Sequence, residues 1–219
     1  MIRTSSMTLK LDDIKAFAKR RLTDARGSHA WDHTLRVYNL CIHIGQVEGA
    51  DLEILEIAAY LHDVARPLQD QSRGGVCHAK KGAEMAHSLL ADYPISEDRK
   101  GNVIHCILSH RFRGNCHPET LEAKVLFDAD KLDSIGAIGV ARTFQFAGEV
   151  GAKLHNPCID PEDTQEYTEE DTGYREFKLK LSKIKDRMLT AEGHRIARER
   201  HSFMEGFFRR FLQEHEGYL

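Results

Sequence analysis

Helical periodicity runs through almost the whole chain and constrains the fold more than any other feature. Apolar residues return every three to four positions in segment after segment: Leu9, Leu11, Ile14, Phe17 and Ala18; Leu35, Val37, Leu40, Cys41 and Ile44; Ala79, Ala83, Ala86, Leu89 and Leu90. Such spacing lays one apolar stripe along each helix. No segment shows the alternation of a half-buried strand, and no internal repeat is present. The breaks fall at residues whose backbone chemistry favours them. Gly27-Ser28 and Gly49 end runs, Asp51 and Ser96 are placed as N-caps, Pro94 closes a helix, and Pro67 is expected to stop a helix from Leu52 to Ala65. Further helices are predicted from Leu9 to Leu22, His29 to Val47, His78 to Leu90, Ser96 to Ser109, Tyr174 to Leu189 and Ala191 to Glu214. Between them, Glu119 to Phe127 is expected to bend into Asp128 to Val150. The predicted class is all-α, a helical bundle.

The chain has 219 residues, 41% hydrophobic and 30% charged, the makeup of an ordinary globular protein. A formal net charge of -3 speaks against a dedicated nucleic-acid binder. No run approaches 18 apolar residues and the N-terminus lacks a signal-peptide core, so no membrane partner is expected and the expected location is the cytoplasm. The five cysteines form no CxxC pair and are expected to be free thiols. Between Leu154 and Tyr174 there are seven Asp and Glu and no Lys or Arg, which fits either a solvated loop or a cover over a site. The stripe Phe203, Met204, Phe207, Phe208 and Phe211 fits either a core face or the face of a homodimer.

Three segments carry chemistry. His62-Asp63 interrupts the apolar run from Ala58 to Ala65. Burying an ionised aspartate there is costly unless it is paired or binds a metal. Neighbouring helical positions differ by about 100°, so both side chains could reach one ion, although a hydrogen-bonded surface pair has the same spelling. His33 lies in Trp31-Asp32-His33-Thr34-Leu35-Arg36-Val37, at the start of a helix. Asp130 lies in Phe127-Asp128-Ala129-Asp130-Lys131-Leu132-Asp133, on a helical stripe with Ser134, Ala137, Ile138 and Ala141, where a salt bridge is the alternative. Two imidazoles and two carboxylates make a mixed N/O set suited to Mn, Fe, Co, Ni or Zn. Water bound to such an ion is acidified towards a hydroxide nucleophile.

The order His33, His62-Asp63, Asp130 resembles the signature of the HD-domain superfamily of metal-dependent phosphohydrolases. The likeness extends to His29-x-Trp31-x-His33-x-x-Arg36-Val37, to the run from Asp128 through Arg142, and to Met188-Leu189-Thr190-Ala191-Glu192 with Ala197, Glu199, Arg200, His201, Phe203 and Met204. These are similar to a bacterial subfamily of small single-domain HD hydrolases, one of which is a Mn-dependent nucleotide pyrophosphohydrolase. The resemblance implies an HD-type helical bundle with a metal centre between helices. It implies a single domain over residues 1–219, with a metal-binding core at about 25–150 and C-terminal helices at about 174–215 packing on it. It implies His33, His62, Asp63 and Asp130 as ligands of one divalent ion, Mn, with Fe, Co, Ni, Zn and Mg as alternatives. The implied reaction is hydrolysis of nucleoside triphosphates to monophosphate and pyrophosphate through a metal-bound hydroxide. A phosphomonoesterase, a phosphodiesterase or a catalytically idle metal or nucleotide sensor are the alternatives. Two departures bear on this: Arg66 stands where HD-type 5'-nucleotidases and guanosine tetraphosphate hydrolases carry an acid, and Ala30 stands where some subfamily members have Asp.

The implied partner is a small phosphorylated substrate, a nucleotide. Asp63 or a nearby histidine is assigned to orient or deprotonate water. Lys131 and Arg142 are eleven residues apart, about three turns, so a continuous helix would set them on one side to offset phosphoryl charge; the alternative is pairing with Asp128 or Asp133 for Lys131, and a structural salt bridge for Arg142. Lys131 thus stands as both catalytic and substrate-binding. His78 and His110 are assigned to substrate, with a second metal as the other use of two histidines in this order. His29, one turn before His33, is a further substrate contact, and Arg66 a weaker candidate to face the site.

Overall fold

The structure, a computed structural model, describes residues 10–23, 31–72, 74–111 and 116–219. The described residues form ten α-helices and no strand, and none of these helices is long and apolar enough to cross a membrane. The chain divides into two compact units, the first ending at Phe127 and the second running from Asp128 to Leu219.

The first unit contains α1 (Leu11–Arg21), α2 (Trp31–Glu48), α3 (Leu52–Leu61), α4 (Arg66–Gln71), α5 (His78–Leu89), α6 (Glu97–Ser109) and the start of α7 (Leu121–Leu132). At its centre is α3, which packs against α1, α2 and α6 and buries Ile54, Leu55 and every residue from Ile57 to Leu61. Gly45 lets α2 approach closely, because a Cβ there would collide with Leu55 Cδ1. Tyr60 stacks on Tyr38 and on Trp31, with ring centroids 4.8 and 6.0 Å apart. The Asp51 carboxylate caps α3 by accepting from the N–H groups of Glu53 and Ile54, and Ser96 caps α6 by accepting from that of Arg99, as the sequence predicts.

Pro67 does not stop a long helix. The helix that begins at Leu52 ends at Leu61, residues 62–65 form a turn, and Pro67 sits in the first turn of α4. A proline is tolerated there because the first helical N–H groups have no intrahelical acceptor. His62 and Asp63 therefore lie in a turn beyond α3 and not inside a helix.

The second unit holds the end of α7, then α8 (Gly136–Glu149), α9 (Gly173–Leu179) and α10 (Ala191–His215), with 3-10 turns at Pro161–Asp163 and Leu181–Arg187. The predicted bend before Asp128 is absent: α7 runs on to Leu132, and the break comes at residues 133–135, before Gly136 at φ +78°. Arg200 closes the end of α7 by donating to Leu132 O at 2.6 Å. No continuous helix therefore joins Lys131 to Arg142, and the stripe from Asp130 to Ala141 is interrupted. The expected helix from Tyr174 to Leu189 is likewise shorter, ending as α9 and giving way to 3-10 geometry. Along α10, Met204 and Phe208 are core residues, and Phe208 stacks on Phe177 at 4.5 Å, whereas Phe203 is half exposed.

The acidic segment is held in place within this unit. Arg175 donates to Thr164 Oγ1 at 2.6 Å, to Thr164 O at 3.1 Å and to Asp171 Oδ1 at 3.0 Å. The His155 ring lies edge-on against Tyr174, Phe211 and His215.

Candidate metal centre

Three histidines of the first unit share one local arrangement. His62 Nδ1 is 2.8 Å from Ala59 O, His110 Nδ1 is 2.6 Å from Ile107 O, and His78 Nδ1 is 2.7 Å from Gln69 Oε1. A carbonyl oxygen only accepts, so each Nδ1 carries a hydrogen and each Nε2 is turned the other way. Those Nε2 atoms converge. His78 Nε2 lies 3.1 Å from His110 Nε2, and His62 Nε2 lies 3.4 Å from His33 Nε2. Between His78 and His110, whose Nδ1 hydrogens are both committed elsewhere, two Nε2 lone pairs face each other and make no hydrogen bond. Nitrogens that each sit about 2.1 Å from one ion are about 3.0–3.4 Å apart.

Asp63 joins the two pairs. Its Oδ2 is 3.9 Å from both His33 Nε2 and His62 Nε2, and its Oδ1 is 3.4 Å from His78 Nε2 and 3.7 Å from His110 Nε2. The result is two groups of three donors, His33-His62-Asp63 and Asp63-His78-His110, all buried. Burial, aided by the nearby His110, Arg66 and Arg111 and opposed by Asp63, pushes His78 down to about 3, so its ring stays neutral and available as a ligand. Imidazoles grouped on a buried carboxylate, three of them held through Nδ1, fit a divalent ion.

The elements explain the placement. His62 and His110 each follow the last turn of a helix, α3 and α6, where an imidazole reaches back to the carbonyl three residues earlier. His78 opens α5, and α4, which packs on α5, presents Gln69. His33 projects from the first turn of α2.

Asp130 lies in the second unit, on α7, where its Oδ2 accepts from Lys131 Nζ at 2.6 Å. Arg142 meets Asp133 Oδ2 at 2.7 Å and Asp133 O at 3.1 Å, a structural salt bridge, with Asp133 as the partner. His29 and Ala30 lie outside the described residues. Arg66 and Arg111 are in the first unit, close enough to His78 for their charges to act on it.

Several contributing residues went unrecognised in the sequence. The carbonyls of Ala59 and Ile107 were detectable in principle, because both stand three residues before a histidine at a helix end. Gln69, nine residues before His78, carries no spacing signal. Asp128 accepts from Leu189 N at 2.9 Å, Thr190 N at 2.8 Å and Thr190 Oγ1 at 2.7 Å, anchoring the entry to α10; burial nevertheless raises its carboxyl above the usual range.

Comparison with known proteins agrees with this geometry. The HD domain family matches residues 30–135. The uncharacterized protein YpgQ of Bacillus subtilis is 35% identical over 211 residues, 94% of each chain. The crystal structure of YpgQ in complex with ADP has a TM-score of 0.74 at 32% identity, covering 95% of this chain and 99% of that one. An HD-superfamily hydrolase from Bacillus thuringiensis has a TM-score of 0.72 at 31% identity, covering 94% and 97%. With the His-Asp turn, its histidine partners and a relative of the same length all in agreement, the chain belongs to the HD-domain superfamily of hydrolases.

Proposed function

We propose that this protein is a metal-dependent phosphohydrolase that cleaves nucleoside triphosphates to the monophosphate and pyrophosphate. The observation that carries the reading is the convergence of imidazole Nε2 atoms on the two oxygens of Asp63. The nucleotide part is supported by YpgQ, which has been crystallised with ADP.

His33, His62 and Asp63 would hold the ion, and Asp130 is assigned the fourth place by resemblance alone. Mn is the proposed metal. When bound, such an ion supplies Lewis acidity to a phosphoryl group and acidifies water. The protein supplies position. Ala59 O locks the His62 ring, so its ligand nitrogen needs no reorientation on binding. With one ion bound, Asp63 Oδ1, turned away from His33 and His62, is placed to orient the attacking water or take its proton; with a second ion at His78 and His110 it would be a ligand of that ion instead. Lys131 and Arg142 keep their proposed part in offsetting phosphoryl charge, each from a carboxylate-bound position.

One observation favours a second use of His78 and His110. Their facing lone pairs, with Asp63 Oδ1, form a donor set of their own, so a second ion is favoured there over direct substrate contact.

Phosphorus NMR of a nucleoside triphosphate mixture with Mn-loaded protein tests the reading. Pyrophosphate and monophosphate are expected, absent with Asp63→Ala. Orthophosphate would replace the reading with a phosphatase, and no turnover with several metals would replace it with an idle sensor. Mn stoichiometry by metal analysis separates one bound ion from two.

A further inference from the structure

Resting on the phosphohydrolase reading, we propose that Arg66 and Arg111 form a two-guanidinium clamp for the phosphate chain of the substrate, beside the His78–His110 end of the centre. The two arginines come from separate segments, each beside a donor of the centre: Arg66 three residues after Asp63, and Arg111 directly after His110. Arg66 begins α4 directly after the His-Asp turn, where its N–H donates to Asp63 O at 2.8 Å. Arg111 follows His110 and reaches Cys77, the residue before His78. The turn that carries Asp63 and the end of α6 that carries His110 set both residues beside the buried donors, and both charges act on His78.

Their protein partners are weak. Arg66 Nε meets Asp70 Oδ1 at 3.7 Å, beyond a hydrogen bond, and is buried without a hydrogen-bond partner. Arg111 Nη1 donates to the Cys77 sulfur at 3.4 Å, and a thiol is a poor acceptor for a guanidinium. Arg99 in the same unit shows what a structural arginine looks like here: its Nε also lacks a hydrogen-bond partner, but its two Nη groups hold Asp51 at 2.6 Å and Glu53 at 2.7 Å. A guanidinium fork matches two oxygens of one phosphate, so it gains most where its present acceptors are poor. Two forks beside one centre fit a chain of at least two phosphates better than a single phosphoryl group. The selected class is therefore a nucleoside di- or triphosphate, held by its phosphates.

Calorimetric titration of the Mn-loaded protein with inorganic pyrophosphate, and separately with orthophosphate, tests the clamp in Arg66→Gln, Arg111→Gln and the control Arg99→Gln. Mn affinity is followed by electron paramagnetic resonance, and Arg→Lys variants at 66 and 111 guard against misfolding. Each Gln variant is expected to weaken pyrophosphate by about ten- to a hundredfold, the scale of a lost charge-assisted contact, with a smaller effect on orthophosphate. Mn affinity and the Arg99→Gln titration should stay at wild-type values, and lysine should restore part of the loss. Unchanged pyrophosphate affinity in both Gln variants overturns the clamp, as does an equal loss in the control or a matching loss of Mn affinity. Arginine-dependent pyrophosphate binding without any nucleotide turnover would support the clamp and sink the hydrolase reading. Turnover with unchanged KM in both variants would do the reverse.

Discussion

Asp63 and Asp171 are almost equally buried, at 4% and 3% exposure, yet they meet opposite surroundings. Asp171 is answered by donors: Arg175 Nη1 at 3.0 Å and the Tyr167 N–H at 2.8 Å. Asp133 is answered in the same way by Arg142, and Asp128 by two N–H groups and a hydroxyl. Asp63 faces four imidazole nitrogens at 3.4–3.9 Å, three of them on rings whose hydrogen is committed to a carbonyl. A carboxylate that builds a fold is neutralised by protein donors. One grouped with imidazole nitrogens is arranged so that a divalent cation can join it.

The largest expected effect separates these two kinds of carboxylate. Asp63→Ala should lower turnover by about a thousandfold or more, the scale of losing a central catalytic group. Bound Mn should fall with it, while the metal-free variant unfolds at or above the wild-type temperature, since the cost of burying a carboxylate goes with it. Added Mn should stabilise the wild type by about 2.7 kcal/mol at a hundredfold excess over Kd and leave the variant unmoved. Metal analysis and calorimetry measure both. A metal-free variant much less stable than wild type would erase the contrast.

The mirror experiment is Arg175→Met. It leaves Asp171 buried without its cation and unlatches Thr164, so urea unfolding should show a loss of about 3 kcal/mol with Mn affinity intact. Asp133→Asn should cost less, about 2 kcal/mol, because Arg142 is open enough to regain water. If Asp133→Asn instead cost as much as Arg175→Met, access to water would not be what distinguishes them.

These contrasts also show what was legible in the chain. The helices, their caps at Asp51 and Ser96, and the grouping of His33, His62 and Asp63 follow from local periodicity and motif order. What was hidden depends on contacts distant in sequence. Pro67 has the same spelling whether it ends a helix or opens one, and only the turn after α3 decides. Ser134-Ile135-Gly136 continues an apolar stripe, so the break after α7 is invisible until Arg200, 68 residues later, is seen capping Leu132. The acidic segment carries no internal cation, and the residue that latches it, Arg175, lies just beyond it. Gln69 joins the site through a side chain whose position depends on the unpredicted α4.

His155 offers the smallest and finest test of how the second unit holds that segment. Burial, helped by the neighbouring His215 and opposed by Glu216, lowers its basicity below that of a free histidine. The rings packed on it are Tyr174, Phe211 and His215. With a depressed value in the folded state, the unfolded chain binds more protons in the window just below about 6.5, the ordinary histidine value. Stability attributable to this residue is therefore complete above that value and is lost as pH falls through the window. His155→Phe keeps the aromatic packing and removes the titrating group. Thermal midpoints measured from pH 7.5 down to 5 should fall less steeply in the variant than in the wild type, with the two curves closest at the alkaline end. Parallel curves would mean that the His155 ring serves as packing alone and that the segment is held at every pH by Arg175.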